Sequence, residues 1–253
     1  MPKLKALIFD VDGTLADTER DGHRIAFNEA FSEAKLDWNW DVETYGALLR
    51  VTGGKERIRY FIEQFQSVFT APADLDGFIK RLHQSKTAHY VELLKSGAIP
   101  LRPGVKRLLE EARSSGLRLA IATTTTPENV TALLSATLGP ASITWFDVIA
   151  AGDVVPGKKP APDIYQYALQ KMNLSAAECM AFEDSENGLL SSVHAGLKTI
   201  VTVNAYTLSD QFAGACIVLD QLGEPGAAFS VIAGNAGDAS YVDVRLINQL
   251  FEN

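Results

Sequence analysis

Lys5-Ala6-Leu7-Ile8-Phe9-Asp10-Val11-Asp12-Gly13-Thr14 is the stretch on which the fold turns. Residues 5–11 form a short apolar segment running into Asp-Gly, the pattern of a strand buried in a parallel sheet and ending in a turn. Asp10 and Asp12 then stand at its C-terminal tip. Two carboxylates in that position are poor for stability, because a buried carboxylate is costly unless paired or bound to a cation. The pair points to a metal or a mechanism, although Asp12-Gly13 alone also suits an Asx-turn followed by a turn glycine.

Downstream of this strand the period changes. Residues 17–95 show helical spacing over 23–34, 55–65 and 75–94 and no β-branched strand, so an all-helical block is expected there. Ile99-Pro100-Leu101-Arg102-Pro103-Gly104 is a breaker cluster that reads as a linker, with Pro103 in the first turn of a helix over 105–115. Beyond it, strands expected at 117–123, 148–151, 179–183 and 199–203 alternate with helices from 127, over 162–172 and over 187–195. Such alternation implies an α/β fold, a Rossmann-like parallel sheet and ligands at the C-terminal ends of its strands. Residues 223–237, crowded with Gly and Ala, read as a loop, and 241–251 as a helix or edge strand. There is no internal repeat.

At 253 residues, with 47% hydrophobic and 21% charged residues, the chain should build a sizeable core, in one large α/β domain or a core with a smaller inserted one. No apolar run approaches the roughly 20 residues that cross a bilayer, so neither a membrane span nor a secretory signal is expected. The only two cysteines, Cys179 and Cys216, lie in no close-spaced metal pattern and read as free thiols in a reducing compartment. The formal net charge of −8 argues against general nucleic-acid binding, so an anionic ligand would need locally concentrated basic residues.

Three further strand ends carry groups suited to phosphoryl transfer. Thr123 follows Leu119-Ala120-Ile121-Ala122 and offers a hydroxyl and neighbouring N–H groups to a phosphate oxygen. Lys159 precedes Pro160-Ala161-Pro162, a rigid segment able to fix one ammonium. Glu183-Asp184 is a second acidic pair suited to a hard divalent cation. Each also has a plain structural reading: Thr123 as a helix cap, Lys159 as a solvated lysine, Glu183-Asp184 as a helix N-terminal cap. Their ordered recurrence on successive strand ends is what favours chemistry.

Asp10-Val11-Asp12-Gly13-Thr14, Thr123, Lys159-Pro160 and Glu183-Asp184 resemble the four motifs of the haloacid dehalogenase-like superfamily of phosphohydrolases. The resemblance implies that Asp10 attacks phosphorus and that Asp12 is general acid and then general base. It also implies Mg2+ held by Asp10, the Asp12 backbone carbonyl and Asp184, with Glu183 in support and Lys159 bridging Asp10 and a phosphoryl oxygen. Dehalogenases of the superfamily lack the second aspartate of the first motif, so Asp12 favours phosphoryl chemistry. The helical block resembles the superfamily's inserted cap, giving a core of residues 1–16 and 99–253 and a cap of 17–98, hinged near 16–19 and 97–102.

Within this block Arg50, Lys55, Arg57 and Arg59 fall within ten residues around Gly53-Gly54, a composition that suits a second phosphate or a solvated basic helix face with a turn. Glu19 and His23, four apart, can face one cleft or form a surface pair. Tyr45, Arg50 to Arg57, Glu19, His23 and the run Ala122-Thr123-Thr124-Thr125 resemble the CbbY branch, whose members hydrolyse xylulose-1,5-bisphosphate, a Rubisco inhibitor. That resemblance implies a distal-phosphate grip by Tyr45, Arg50, Gly54, Lys55 and Arg57, with Glu19 and His23 on sugar hydroxyls and Thr124 and Lys86 also binding substrate. It also implies a small phosphosugar as partner, a monomer, and a cytoplasmic location, or the chloroplast stroma in a photosynthetic eukaryote. Lys86 stands where a related β-phosphoglucomutase-like branch carries cap lysines, which keeps phosphosugar transfer open; Thr14 in place of that branch's valine leans towards hydrolysis. A non-catalytic sensor would have lost one of Asp10, Asp12, Lys159 or Asp184, and all four are present.

Overall fold

The opening apolar segment forms strand β1, Ala6–Phe9, in the middle of a seven-stranded sheet. In this computed structural model, which describes residues 3–66 and 69–252, β1 pairs with β2 (Arg118–Ala122) on one side and β4 (Cys179–Glu183) on the other. The sheet continues through β3 (Phe146–Ala150) beyond β2, and through β5 (Lys198–Thr202), β6 (Ile217–Leu219) and β7 (Val231–Gly234) beyond β4. All pairs are parallel except β6 with β7. Successive connections leave β1 in opposite directions, which opens a crevice at its C-terminal end. The expected domain ends Met1 and Asn253, and Ser67 and Val68 inside the helical block, lie outside the described residues.

The two faces of the sheet differ in side-chain size. Leu7, Phe9, Leu119, Ile121, Met180 and Phe182 point into one cluster with helices α5 (Val105–Ser114), α6 (Pro127–Leu138) and α9 (Val244–Glu252). The opposite face carries Ala6, Ala120, Ala122, Ala150 and Ala181, which let α7 (Asp163–Met172) bring Ile164, Tyr165 and Ala168 close to the backbone. The two-residue alternation of a pleated strand produces this asymmetry directly.

Between β1 and β2 the chain is helical, as the spacing implied. It contains a π-helical turn, Glu19–His23, then α1 (Arg24–Glu33), α2 (Val42–Leu48), α3 (Gly54–Phe65) and α4 (Leu75–Lys95). Ile58, Phe61 and Ile62 line one face of α3 and meet Trp38, Trp40, Phe27 and Phe31 in a separate aromatic cluster. Asp41 and Asp74 cap α2 and α4 by accepting from Thr44 N–H at 2.7 Å and Gly77 N–H at 2.9 Å. Helix α4 serves both cores, because Ile79 and Leu82 belong to the aromatic cluster while Tyr90 and Leu94 join the sheet's cluster.

Several expectations need correction. The first helix was expected over 23–34, but the π-helical turn precedes it; Gly22 is packed so closely that a Cβ would lie 2.6 Å from Ile99 Cδ1. Pro103 lies outside α5, whose N-cap is the left-handed Gly104 at φ 84°. Strand β6, strand β7 inside the Gly/Ala-rich stretch and helix α2 were not anticipated, and 241–251 resolves as helix α9. Cys179 and Cys216 are free thiols. No described helix is long and apolar enough to cross a membrane.

The entry and exit of the helical block run side by side. Arg102 N–H donates to Leu15 O at 2.9 Å, and Ala16 bridges to Leu101. The buried Arg102 guanidinium donates to the carbonyls of Gly13, Thr202 (3.0 Å), Val203 (2.6 Å) and Asp220 (2.7 Å). One side chain thus ties the turn after β1 to the ends of β5 and β6. Arg102→Leu should lower stability by roughly 3 kcal/mol, the cost of several buried carbonyls left without a donor. Urea unfolding tests this; a change below about 0.5 kcal/mol, the usual range for an unimportant surface site, would show that water replaces the guanidinium.

Candidate active site

The crevice at the end of β1 and β4 gathers the groups singled out from the sequence. Asp10 follows β1 directly, its N–H donating to Phe182 O at 3.0 Å, which sets it beside Glu183 at the end of β4. Lys159 Nζ donates to Asp10 Oδ1 and to Glu183 Oε1, both at 2.6 Å, and Tyr165 O–H also donates to Glu183 Oε1. Lys159 is therefore buried between two carboxylates, which removes its reading as a solvated lysine. Gly13, at φ 85°, turns the chain under Asp184; a Cβ there would sit 2.1 Å from Asp184 Oδ2. The other plain readings fall too, because Thr126 caps α6 and Ser185 caps α8 (Glu186–His194).

Asp10, Glu183 and Asp184 each offer an oxygen within 4.8 Å of the others, with one lysine among them. Burial pushes Asp10 up to about 7; Lys159 opposes this, and Glu183 and Asp12 reinforce it. Burial, then Asp10 and Glu183, hold Asp184 well above the usual carboxylate range. Lys159 is raised although burial opposes it, because Asp10 and Glu183 outweigh that cost. Glu183 Oε2 is buried with no hydrogen-bond partner among the described residues. Surplus negative charge on hard oxygen donors is the chemistry that a divalent cation satisfies, so the donor set fits one.

Asp12 is handled differently. Its Oδ1 accepts from Thr18 Oγ1 at 2.5 Å and from His23 Nε2 at 2.8 Å. Burial works to raise this carboxyl, but His23, Thr18 and Lys86 prevail and hold it well below its ordinary value. Lys86 Nζ lies 2.8 Å from His23 Nδ1. An ammonium only donates, so Nδ1 accepts and Nε2 carries the hydrogen given to Asp12. The His23 ring packs on Tyr90, with centroids 4.0 Å apart. Burial pushes Lys86 itself down to about 8, and Arg57 adds to that, against Asp12 and Glu19.

A cavity of about 430 Å³ opens above these groups. Asp10, Asp12, Thr123, Thr124, Lys159, Glu183 and Asp184 line it from the sheet, and Glu19, Arg50 and Arg57 from the helical block. The remaining cap residues divide. Tyr45 is fully buried, donating its O–H to Glu19 and accepting from Arg57 Nη1 at 2.8 Å, so it braces two lining residues. His23 and Lys86 lie beneath Asp12 with both imidazole nitrogens occupied, rather than in the sugar position expected for His23. Gly54 and Lys55 line a neighbouring cavity of about 470 Å³, where Lys55 pairs with Asp153, apart from the grip expected with Arg50 and Arg57.

Thr18, Tyr165, Asn187 and Asn204 were not singled out from the sequence. Asn187 Nδ2 donates to Thr52 Oγ1 at 3.2 Å, joining α8 to the helical block. None of the four carries a local signal; each acts through a contact that only the folded chain creates.

The central parallel sheet, the inserted helices and an aspartate pair facing a buried lysine define a class, and residues 4–196 match the family described as haloacid dehalogenase-like hydrolase: the chain belongs to it. Protein CbbY of Rhodobacter capsulatus is 53% identical over 213 residues, 84% of this chain and 91% of that protein. The crystal structure of a CbbY mutant from Rhodobacter sphaeroides in complex with xylulose-(1,5)bisphosphate is similar at TM-score 0.81 and 47% identity, covering 88% of this chain and 96% of that one. A phosphorylated carbohydrates phosphatase of Thermotoga maritima is 32% identical over 214 residues, 82% of this chain and 88% of that protein. The chain is a hydrolase of the phosphatase type.

The acid cluster predicts a metal-dependent pH response. An acid whose folded pKa exceeds its unfolded value binds more protons when folded, so stability falls as pH rises between the two values. For Asp10 that window runs from 3.8 to about 7, and Asp184 shifts in the same direction. A divalent cation should therefore raise the melting temperature more at pH 8 than at pH 5. Thermal melts with chelator and with millimolar Mg2+ at both pH values check this; equal increments would mean that the cluster is not where the cation acts.

Proposed function

We propose that this chain is a magnesium-dependent sugar-phosphate phosphatase that works through an aspartyl-phosphate on Asp10 and hydrolyses xylulose-1,5-bisphosphate to xylulose 5-phosphate. The observation that carries the reading is the Lys159 ammonium on Asp10, set beside an acid cluster and under a cavity that Arg50 and Arg57 enter from the opposite side. In this reading residues 17–98 are a cap and the rest of the chain is the catalytic core.

Lys159 orients the Asp10 carboxylate by its Oδ1, and no other described side chain bonds that carboxylate, which leaves Oδ2 to attack phosphorus. Thr123, whose Oγ1 accepts from Thr125 N–H at 3.3 Å, offers its O–H to a phosphoryl oxygen. Asp12 gives a proton to the leaving sugar oxygen and then takes one from the water that cleaves the aspartyl-phosphate. Thr18 and the His23–Lys86 pair hold the Asp12 carboxylate in place for both steps. Asp10, Asp184 and the Asp12 carbonyl would hold Mg2+, with Glu183 behind them; the ion supplies neutralisation of phosphate charge. Two positive side chains on the far wall suit a second phosphate, in a chain whose net charge of −8 would otherwise repel it. The free thiols suit a cytoplasmic or stromal setting.

Asp10→Asn should lower kcat by at least about 10³-fold with the fold intact, as loss of a covalent nucleophile does. With Mg2+, phosphate release from xylulose-1,5-bisphosphate should exceed that from ribulose-1,5-bisphosphate and from monophosphates. Isomerisation of β-glucose-1-phosphate without phosphate release would replace hydrolysis by phosphosugar transfer. Arg50→Ala should raise KM for the bisphosphate about tenfold, the scale of one charge-assisted contact, and leave a monophosphate's KM nearly unchanged. Equal losses on both substrates would remove Arg50 from the distal phosphate.

A further inference from the structure

The turn after β5 reaches the acid cluster through one side chain that the chemistry so far does not use. Asn204 Nδ2 donates to Asp184 Oδ2 at 2.7 Å. The amide is fixed at both ends, because Asn204 Oδ1 accepts Tyr206 N–H at 2.9 Å, so its nitrogen and oxygen cannot exchange places. The backbone is closed in both directions as well: Asn204 N–H donates to Thr207 Oγ1 at 3.0 Å, and Thr207 N–H donates to Asn204 O at 3.1 Å. Gly13 presses on the same place from below, where a Cβ would lie 2.6 Å from Asn204 Nδ2 and 2.1 Å from Asp184 Oδ2. Asp184 is thus held by an immobilised donor on Oδ2, and no other described side chain hydrogen-bonds that carboxylate.

We infer that Asn204 is a positioning residue for the divalent-cation site: its amide pins one oxygen of Asp184 so that the other is presented to the ion. The inference rests on the metal reading of the acid cluster given above. An outer donor of this kind lowers the freedom of a ligating carboxylate and sets which oxygen faces the metal. The same turn carries Tyr206, whose ring packs against Tyr45 with centroids 6.1 Å apart and lies against Gly46, where a Cβ would come within 3.1 Å of it. The element that orients the ligand therefore also touches the helical block.

Binding of Mn2+ to the chelator-stripped chain, followed by electron paramagnetic resonance, tests this without reference to turnover. Asn204→Ala removes the donor and the turn acceptor together. Asn204→Ser keeps an oxygen able to accept Tyr206 N–H, but it is too short to reach Asp184, so it separates the two roles. Both variants should weaken the Mn2+ Kd by about 10- to 100-fold, the usual effect of losing such a partner, while the metal-free melting temperature of Asn204→Ser stays at the parent value. An Asn204→Ser chain that binds Mn2+ within about twofold of the parent would overturn the inference and leave the metal site standing. A parent chain that binds no Mn2+ would overturn the metal reading and this inference with it.

Discussion

The contact on which the rest of the site depends is the Lys159 ammonium shared by Asp10 and Glu183. Parallel pairing of β1 with β4 in register Phe9 to Phe182 forces two carboxylates together at the tips of adjacent buried strands. Without a cation between them the arrangement would carry the full cost of like charges in a low-dielectric interior. One lysine offsets part of that cost for three carboxylates, and the remaining deficit of positive charge is what makes the crevice receptive to a divalent cation. Electrostatic imbalance, usually a liability, is here the basis of affinity.

The sheet around this contact explains why it is rigid. Alanines on one face admit α7 closely enough for Tyr165 to reach Glu183, and the larger face is filled by α5, α6, α9 and the C-terminal half of α4. On the far side, Arg102 collects carbonyls from three separate segments beneath Gly13. The acid cluster is therefore clamped from both sides by groups distant in sequence, and its oxygens need little reorganisation when charge develops.

The first strand, the alternating core and the four motifs after successive strands were legible because each leaves a local mark: an apolar run, a turn glycine, a polar residue after a strand. Strand β7 was not, since Gly and Ala around Val231 and Ile232 read as loop and its pairing with β6 comes from tertiary placement. The cap residues were legible as a set but not as a geometry. Arg50, Lys55 and Arg57 share a basic stretch in the sequence, yet the turn into α3 sends Lys55 towards Asp153 and Arg57 into the cavity. His23 and Lys86 are 63 positions apart, and only the packing of α4 against the preceding turn makes them neighbours.

Helix α4 has a consequence of its own. Its 21 residues span about 30 Å, with the C-terminal half set in the sheet's core and the N-terminal half in the aromatic core. Lys86 stands near the midpoint, where the two cores meet, so packing on both sides fixes the ammonium beside His23. Such a helix is a splice between two cores, and a change that loosens either one is felt at its join, where Lys86 and His23 meet beneath Asp12.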